Sequence, residues 1–247
     1  MAFDTQRGTW TTSQADAAQI DAGLREYMLR VYNYMGSGLA LTGILAFMVA
    51  NTPALQALFF QVSQRGVGLT GLGWLVTLAP IGLVLALSFG IQRMTPSTAK
   101  TLFWVYAGLM GLSLSSVLMV YTGASVARTF FITATSFGGL SLWGYTTKRD
   151  LTGFGSFLFM GLIGLVLASL INLFFPSGMM TFIISVVGVL LFAGLTAYDT
   201  QKIKEMYWAG NDAATTDRQA VMGALTLYLD FINLFMYLLR FIGDRRD

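Results

Sequence analysis

Long apolar runs, each about the length of a membrane crossing, occupy most of this chain. Seven can be drawn, at residues 31–50, 72–91, 102–121, 129–145, 154–175, 179–203 and 221–242. As helix, about 20 such residues cross a hydrocarbon core of ~30 Å. The charge content agrees. Only 11% of the 247 residues are charged, where a water-facing domain carries about a quarter. The chain is therefore expected to be an all-α integral membrane protein with seven transmembrane helices. The run TFFITATSFGGLSLWGY at 129–145 is short and rich in Thr, Ser and Gly, and reads as a helix shielded by its neighbours.

Residues 1–23 are polar and hold Asp4, Arg7, Asp16 and Asp21. No apolar core follows them within signal-peptide distance, so they are expected to form a retained, mobile tail. Residues 24–247 then make one transmembrane domain with short connections. Counted by alternate sides, ten Lys and Arg fall with the N-terminus and five opposite, which favours a cytoplasmic N-terminus. Arg240, Arg245 and Arg246, clustered at the far end, pull against an external C-terminus, so a last helix that stops short of a full crossing stays open. Small residues at Gly161 and Gly164, Gly138 and Gly139, and Ala193 and Ala197 are expected at close helix contacts.

Cysteine and histidine are absent. Thiolate chemistry, His- or Cys-ligated metals and the Ser-His-Asp triad go with them. A proton-responsive element would have to use carboxylates, tyrosine or lysine. The net charge of +3 is scattered among loops, where it reads as a topology signal and not as a nucleic-acid surface.

Of twelve acidic residues, ten lie in tails, loops or segment ends; the other two are Asp199 and Asp230. An aspartate at the centre of a membrane helix costs about 2.5–3.5 kcal/mol on insertion scales, so it needs a compensating role. Asp230 stands nine residues after Val221 and twelve before Ile242, roughly 13–18 Å from either end of the run. At 100° per residue, Gly223, Thr226, Asn233 and Tyr237 fall within about 60° of it. They form one narrow polar stripe, which suits a bundle interior or the lining of a water-filled path. Asp199 admits two readings: an interfacial aspartate paired with Lys202, or a partner for Asp230. Two carboxylates within hydrogen-bonding reach do not both ionise cheaply and share a proton. Ionised and spread apart, their oxygens suit a hard cation such as Ca²⁺.

AYDTQKIKEMY and LYLDFINLF, about thirty residues apart on the last two segments, resemble the Bax inhibitor-1 family, and its bacterial members most. The likeness extends over roughly residues 24–243 and includes the LLRFIG ending. It implies seven helices, six around a central one, in a bacterial inner membrane. It also implies a pH-sensitive passive Ca²⁺ leak gated by an aspartate pair, at positions that match Asp199 and Asp230. Thr226, Asn233 and Tyr237 would line the path, and Ca²⁺ would be a permeant ion passing the two aspartates, with no resident cofactor. The family's latch adds an arginine at the end of the second helix. Arg93 in FGIQRM is the candidate, although an ungapped match falls on Gln92.

No catalytic residues are expected. An intramembrane aspartyl protease would fit Tyr198-Asp199, but it would also need Gly-x-Gly-Asp and a later Pro-Ala-Leu. This chain has Leu227-Tyr228-Leu229-Asp230 and no proline after Pro176. A retinal protein would need a lysine in the last helix, and none follows Lys204. The remaining alternative is a membrane interaction protein that regulates a membrane protease or a cell-death factor through helix contacts. Expected partners are thus the bilayer, Ca²⁺ and protons, and a membrane protein in that alternative; nucleic acid is not among them.

Overall fold

The computed structural model describes residues 5–63 and 66–246, with side chains described for residues 19–61 and 68–246. The first four residues and the side chains to residue 18, most of the expected tail, lie outside that description. Backbone helix is already present from Thr5. The helices are α1 (Thr5–Asn51), α2 (Pro53–Phe59), α3 (Gly71–Gly90), α4 (Pro96–Val120), α5 (Gly123–Thr146), α6 (Thr152–Phe174), α7 (Gly178–Glu205) and α8 (Ala213–Ile242). Strands β1 (Phe60–Ser63) and β2 (Gly66–Leu69) form a small hairpin between α2 and α3.

Several helix starts follow from residues that satisfy free backbone donors. The hydroxyl oxygens of Thr70, Thr95 and Thr122 accept from the amides of Gly73, Thr98 and Ser125, at 3.0, 3.2 and 3.3 Å. Pro96 supplies a pre-set first position for α4. Lys202 and Lys204 occupy the last turn of α7, where positive charge suits the helix dipole.

Among the described residues, six helical spans are long and apolar enough to cross a membrane: Gln19–Asn51, Gly71–Arg93, Pro96–Val120, Thr152–Phe174, Gly178–Glu205 and Ala213–Ile242. Helix α5, at the expected fourth segment, is not one of them by composition. It nevertheless runs the length of the bundle. At its start, the amide of Thr122 donates to the carbonyl of Asp244 beyond α8. At its end, the carbonyl of Tyr145 accepts from Lys204 at the close of α7.

Burial is shared unevenly. The apolar window of α8 is 61% buried, against 33% for α7 and 11% for α6, so α8 carries the core. It packs against α1, α4, α5 and α7. Tyr228 sits at its middle, between the rings of Phe103 and Tyr106, with its hydroxyl hydrogen-bonded to Thr42 at 2.7 Å. Phe157, Leu173 and Phe174 on α6 face outward, each at least two-thirds exposed, the pattern of a lipid-facing wall.

Two expectations are corrected. The stretch 52–70 is no plain short connection, because Pro53 starts α2 and Phe60–Ser63 then pairs antiparallel with Gly66–Leu69. Strands of four residues are too short to leave a readable period. The small-residue pairs are also only partly contacts. Gly138, Gly139 and Gly164 face open space. Gly161 does meet Leu191, and Ala197 lies at the tight α5–α7 crossing, where a methyl group on Gly144 would collide with its carbonyl.

This crossing yields a paired prediction. Gly144→Ala should destabilise the bundle by about 1–3 kcal/mol, the scale of overpacking. Gly139→Ala, which meets nothing, should be neutral or slightly stabilising through helix propensity. Thermal unfolding in detergent reads both, and equal effects would refute the crossing.

Candidate functional site

The close of α7 and the middle of α8 bring Asp199 and Asp230 together, their side chains within hydrogen-bonding reach of one another. Asp230 is 4% exposed. Its Oδ2 atom is buried and has no hydrogen-bond donor among the described residues. An ionised carboxylate only accepts, so two facing carboxylates gain a mutual hydrogen bond only when a proton lies between them. The geometry thus calls for a shared proton, or for a donor or cation from outside.

Both aspartates line a cavity of about 770 Å³ walled by α6, α7 and α8. The stripe read from the sequence is largely here, since Thr226, Asn233 and Tyr237 line the same cavity. Gly223 does not; it packs toward Ile203 and Val31. Two glycines seat the tyrosines. A methyl group on Gly155 would strike the Tyr198 ring, and one on Gly188 would strike Tyr237. Tyr237 also stacks on Phe192, ring centroids 5.7 Å apart, and the guanidinium of Arg240 lies 5.7 Å from the Tyr237 ring centroid.

Lys202 is the one Lys or Arg lining this cavity, among the described residues. Its ammonium lies 5.8 Å from the Tyr198 ring centroid. Arg93 is not brought to the pair. It is exposed on a 3₁₀ turn (Ile91–Arg93) after α3, lines no part of the cavity, and joins none of the ion pairs among the described residues. The turn itself touches α8, but the Arg93 side chain is exposed, whereas the pair opens toward α6.

Sequence reasoning passed over the residues that hold Asp199 in place. Thr200 is hydrogen-bonded to Ser141 of α5 at 2.9 Å, and Ser141 to Tyr32 of α1 at 2.7 Å. Gln201 accepts from the amide of Leu151 at 2.9 Å and donates to the carbonyl of Arg149 at 2.8 Å. Lys204 donates to the carbonyl of Tyr145 at 2.8 Å. The only trace in the sequence is a cluster of polar residues at a helix end, which reads equally as a membrane edge. Nearby, Asp217 accepts from both Arg30 and Lys100, tying α8 to α1 and α4.

The family model described as inhibitor of apoptosis-promoting Bax1 matches residues 24–247. The chain belongs to this family. It is 51% identical over 240 residues to the uncharacterized protein RP147 of Rickettsia prowazekii (strain Madrid E), covering 97% of this chain and 98% of that one. It is 49% identical over 230 residues to the inner membrane protein YbhL of Escherichia coli (strain K12), covering 91% and 94%. An uncharacterized protein of Caulobacter vibrioides is 49% identical over 248 residues, covering 99% of each chain. As a Bax inhibitor family member with several membrane-length helices, it is a membrane protein.

Because Gln201 satisfies a buried backbone amide, its loss leaves Leu151 N–H without a partner. Gln201→Ala should cost about 1–3 kcal/mol, read by thermal unfolding. Gln201→Glu keeps the acceptor but sets a carboxylate oxygen against the Arg149 carbonyl that Gln201 donates to, so it should recover little of that stability.

Proposed function

We propose that this protein is a passive, pH-sensitive leak for Ca²⁺ and other cations, with Asp199 and Asp230 as its gate. The observation that carries this reading is the pair itself: two facing carboxylates at the side of a membrane-length bundle, one of them holding a buried oxygen without a donor among the described residues. Such a pair has two ways to be satisfied, a proton or a cation, and these exclude each other. Proton concentration therefore sets how readily a cation can occupy the gate.

The donor set suits a passing ion. Ca²⁺ held tightly takes six to eight oxygens. Two carboxylates with the hydroxyl of Thr226 and the amide of Asn233 offer six oxygens at most, the bottom of that range, and only if both carboxylates bind through both oxygens. Among the described residues no group of three or more Asp, Glu, His or Cys is gathered. Lys202, and not Arg93, is the cation in this reading that faces the pair and weakens its hold on an incoming charge.

Seven crossings fit best, because α5 connects the same two ends of the bundle as its neighbours. In this arrangement α8 is the helix that the others surround. The inner-membrane description of YbhL and the ten-to-five bias of Lys and Arg support a bacterial inner membrane with the N-terminus cytoplasmic. The activity is conduction without catalysis and needs no bound cofactor.

Purified protein in liposomes loaded with a Ca²⁺-sensitive dye, scanned from pH 5 to 8, tests the reading. Wild type should show a Ca²⁺ flux that varies with pH. Asp230→Asn and Asp199→Asn should change the flux by about tenfold or more, as expected when a buried interaction worth some 1.4 kcal/mol is lost, and should flatten its pH dependence. Flux and pH profile unchanged in both variants would rule out the gate.

A further inference from the structure

We propose that the cavity behind the aspartate pair is a binding site for a lipophilic monoamine that enters sideways from the bilayer. Three features of one place lead to this. First, the site is open on its α6 side. Helix α6 reaches the bundle chiefly through α7, and Phe159 and Met160, which line the cavity, are 61% and 71% exposed. Second, the α6 wall is apolar apart from Ser156. It offers a hydrocarbon body a surface to cover but gives a bare metal ion few oxygens. Third, the buried end holds Oδ2 of Asp230, an acceptor with no donor among the described residues. The volume, about 770 Å³, is within the usual range for a small-molecule pocket.

The charge fixes the ligand class. With an amine in place of the shared proton, two ionised carboxylates and the Lys202 ammonium leave one negative charge, which matches one ammonium group. Its N–H groups would donate to the carboxylates that line the cavity, and a hydrogen bond to a charged group is among the stronger kinds. The rings of Tyr198 and Tyr237, at the walls of the same space, add faces that favour a cation. A neutral alcohol of the same shape would fill the apolar part and leave the charge unmatched. Block of the leak by such an amine rests on the function proposed above; binding does not.

Binding is therefore measured alone, by equilibrium dialysis of 1-adamantylamine against purified protein in nanodiscs, in Ca²⁺-free buffer at pH 7, with empty nanodiscs as blank. Saturable binding of one amine per chain is expected, at least tenfold tighter than 1-adamantanol. Asp230→Asn should weaken it tenfold or more. Leu162→Trp, which fills the cavity from α6 and leaves both carboxylates in place, should do the same, so the result does not hinge on one variant folding. Equal binding of amine and alcohol, or wild-type affinity in both variants, would overturn the site. A wild-type flux lacking pH dependence would sink the leak while leaving this binding result untouched.

Discussion

A carboxylate enclosed by apolar helices, with no donor among the described residues for one of its oxygens, is the constraint around which this molecule is arranged. Burying an unpaired charge costs several kcal/mol, and in practice the group finds a proton or a partner instead. Asp230 finds Asp199, which cannot help it without a proton. The solution is incomplete by construction and leaves the pair responsive to whatever else enters the cavity. A buried salt bridge with arginine would have removed that responsiveness. Lys202, at the edge and engaged with the Tyr198 ring, compensates only in part.

Such a pair is useful only if its spacing is held, and the last turns of α7 do this with side chains on different faces. Asp199 and Lys202, three residues apart, share the face that lines the cavity. Thr200, Gln201 and Lys204 point elsewhere, to α5 and to the loop that starts α6. Each of these four hydrogen bonds ties α7 to a backbone or hydroxyl group of a neighbour. The Gly144 crossing, where α5 and α7 meet backbone to backbone, sets their separation. One short polar segment thus both presents a carboxylate and anchors the helix that bears it.

This division explains what could be read in advance. Asp230, Thr226, Asn233 and Tyr237 were legible because they belong to one helix, where a 100° period converts spacing into a shared face. The pairing with Asp199 needed family resemblance, since i+3 spacing to Lys202 offered an equally good local account. Lys202 was visible as a charge, but its place beside the pair depends on how α7 is rotated against α8. Neither the α6 wall nor the seat that Gly155 makes for Tyr198 has any local signal, because both arise from packing between helices. Arg93 shows what a helix-end match leaves open: the turn that bears it touches α8, yet its side chain is exposed and lines no part of the cavity.

The flank on which the pair sits decides whether it has any chemistry. On the α1–α4 side of α8, the rings of Phe103, Tyr106 and Tyr228 pack edge to face, and Tyr228 is fully enclosed. A carboxylate pointing there would meet those rings, or the cavity of about 590 Å³ between α1, α4, α5 and α8, whose lining is mostly apolar. Asp230 points to the other side, where the wall is α6, the least buried of the candidate spans. A thin wall leaves room for the cavity, and fewer fixed contacts must be broken for its shape to change. Helix α8 therefore combines two environments that would conflict if mixed: a rigid aromatic face that holds the bundle together, and a polar stripe facing its most weakly packed edge. The helix with the most burial supplies the aspartate, and the helix with the least controls what can reach it.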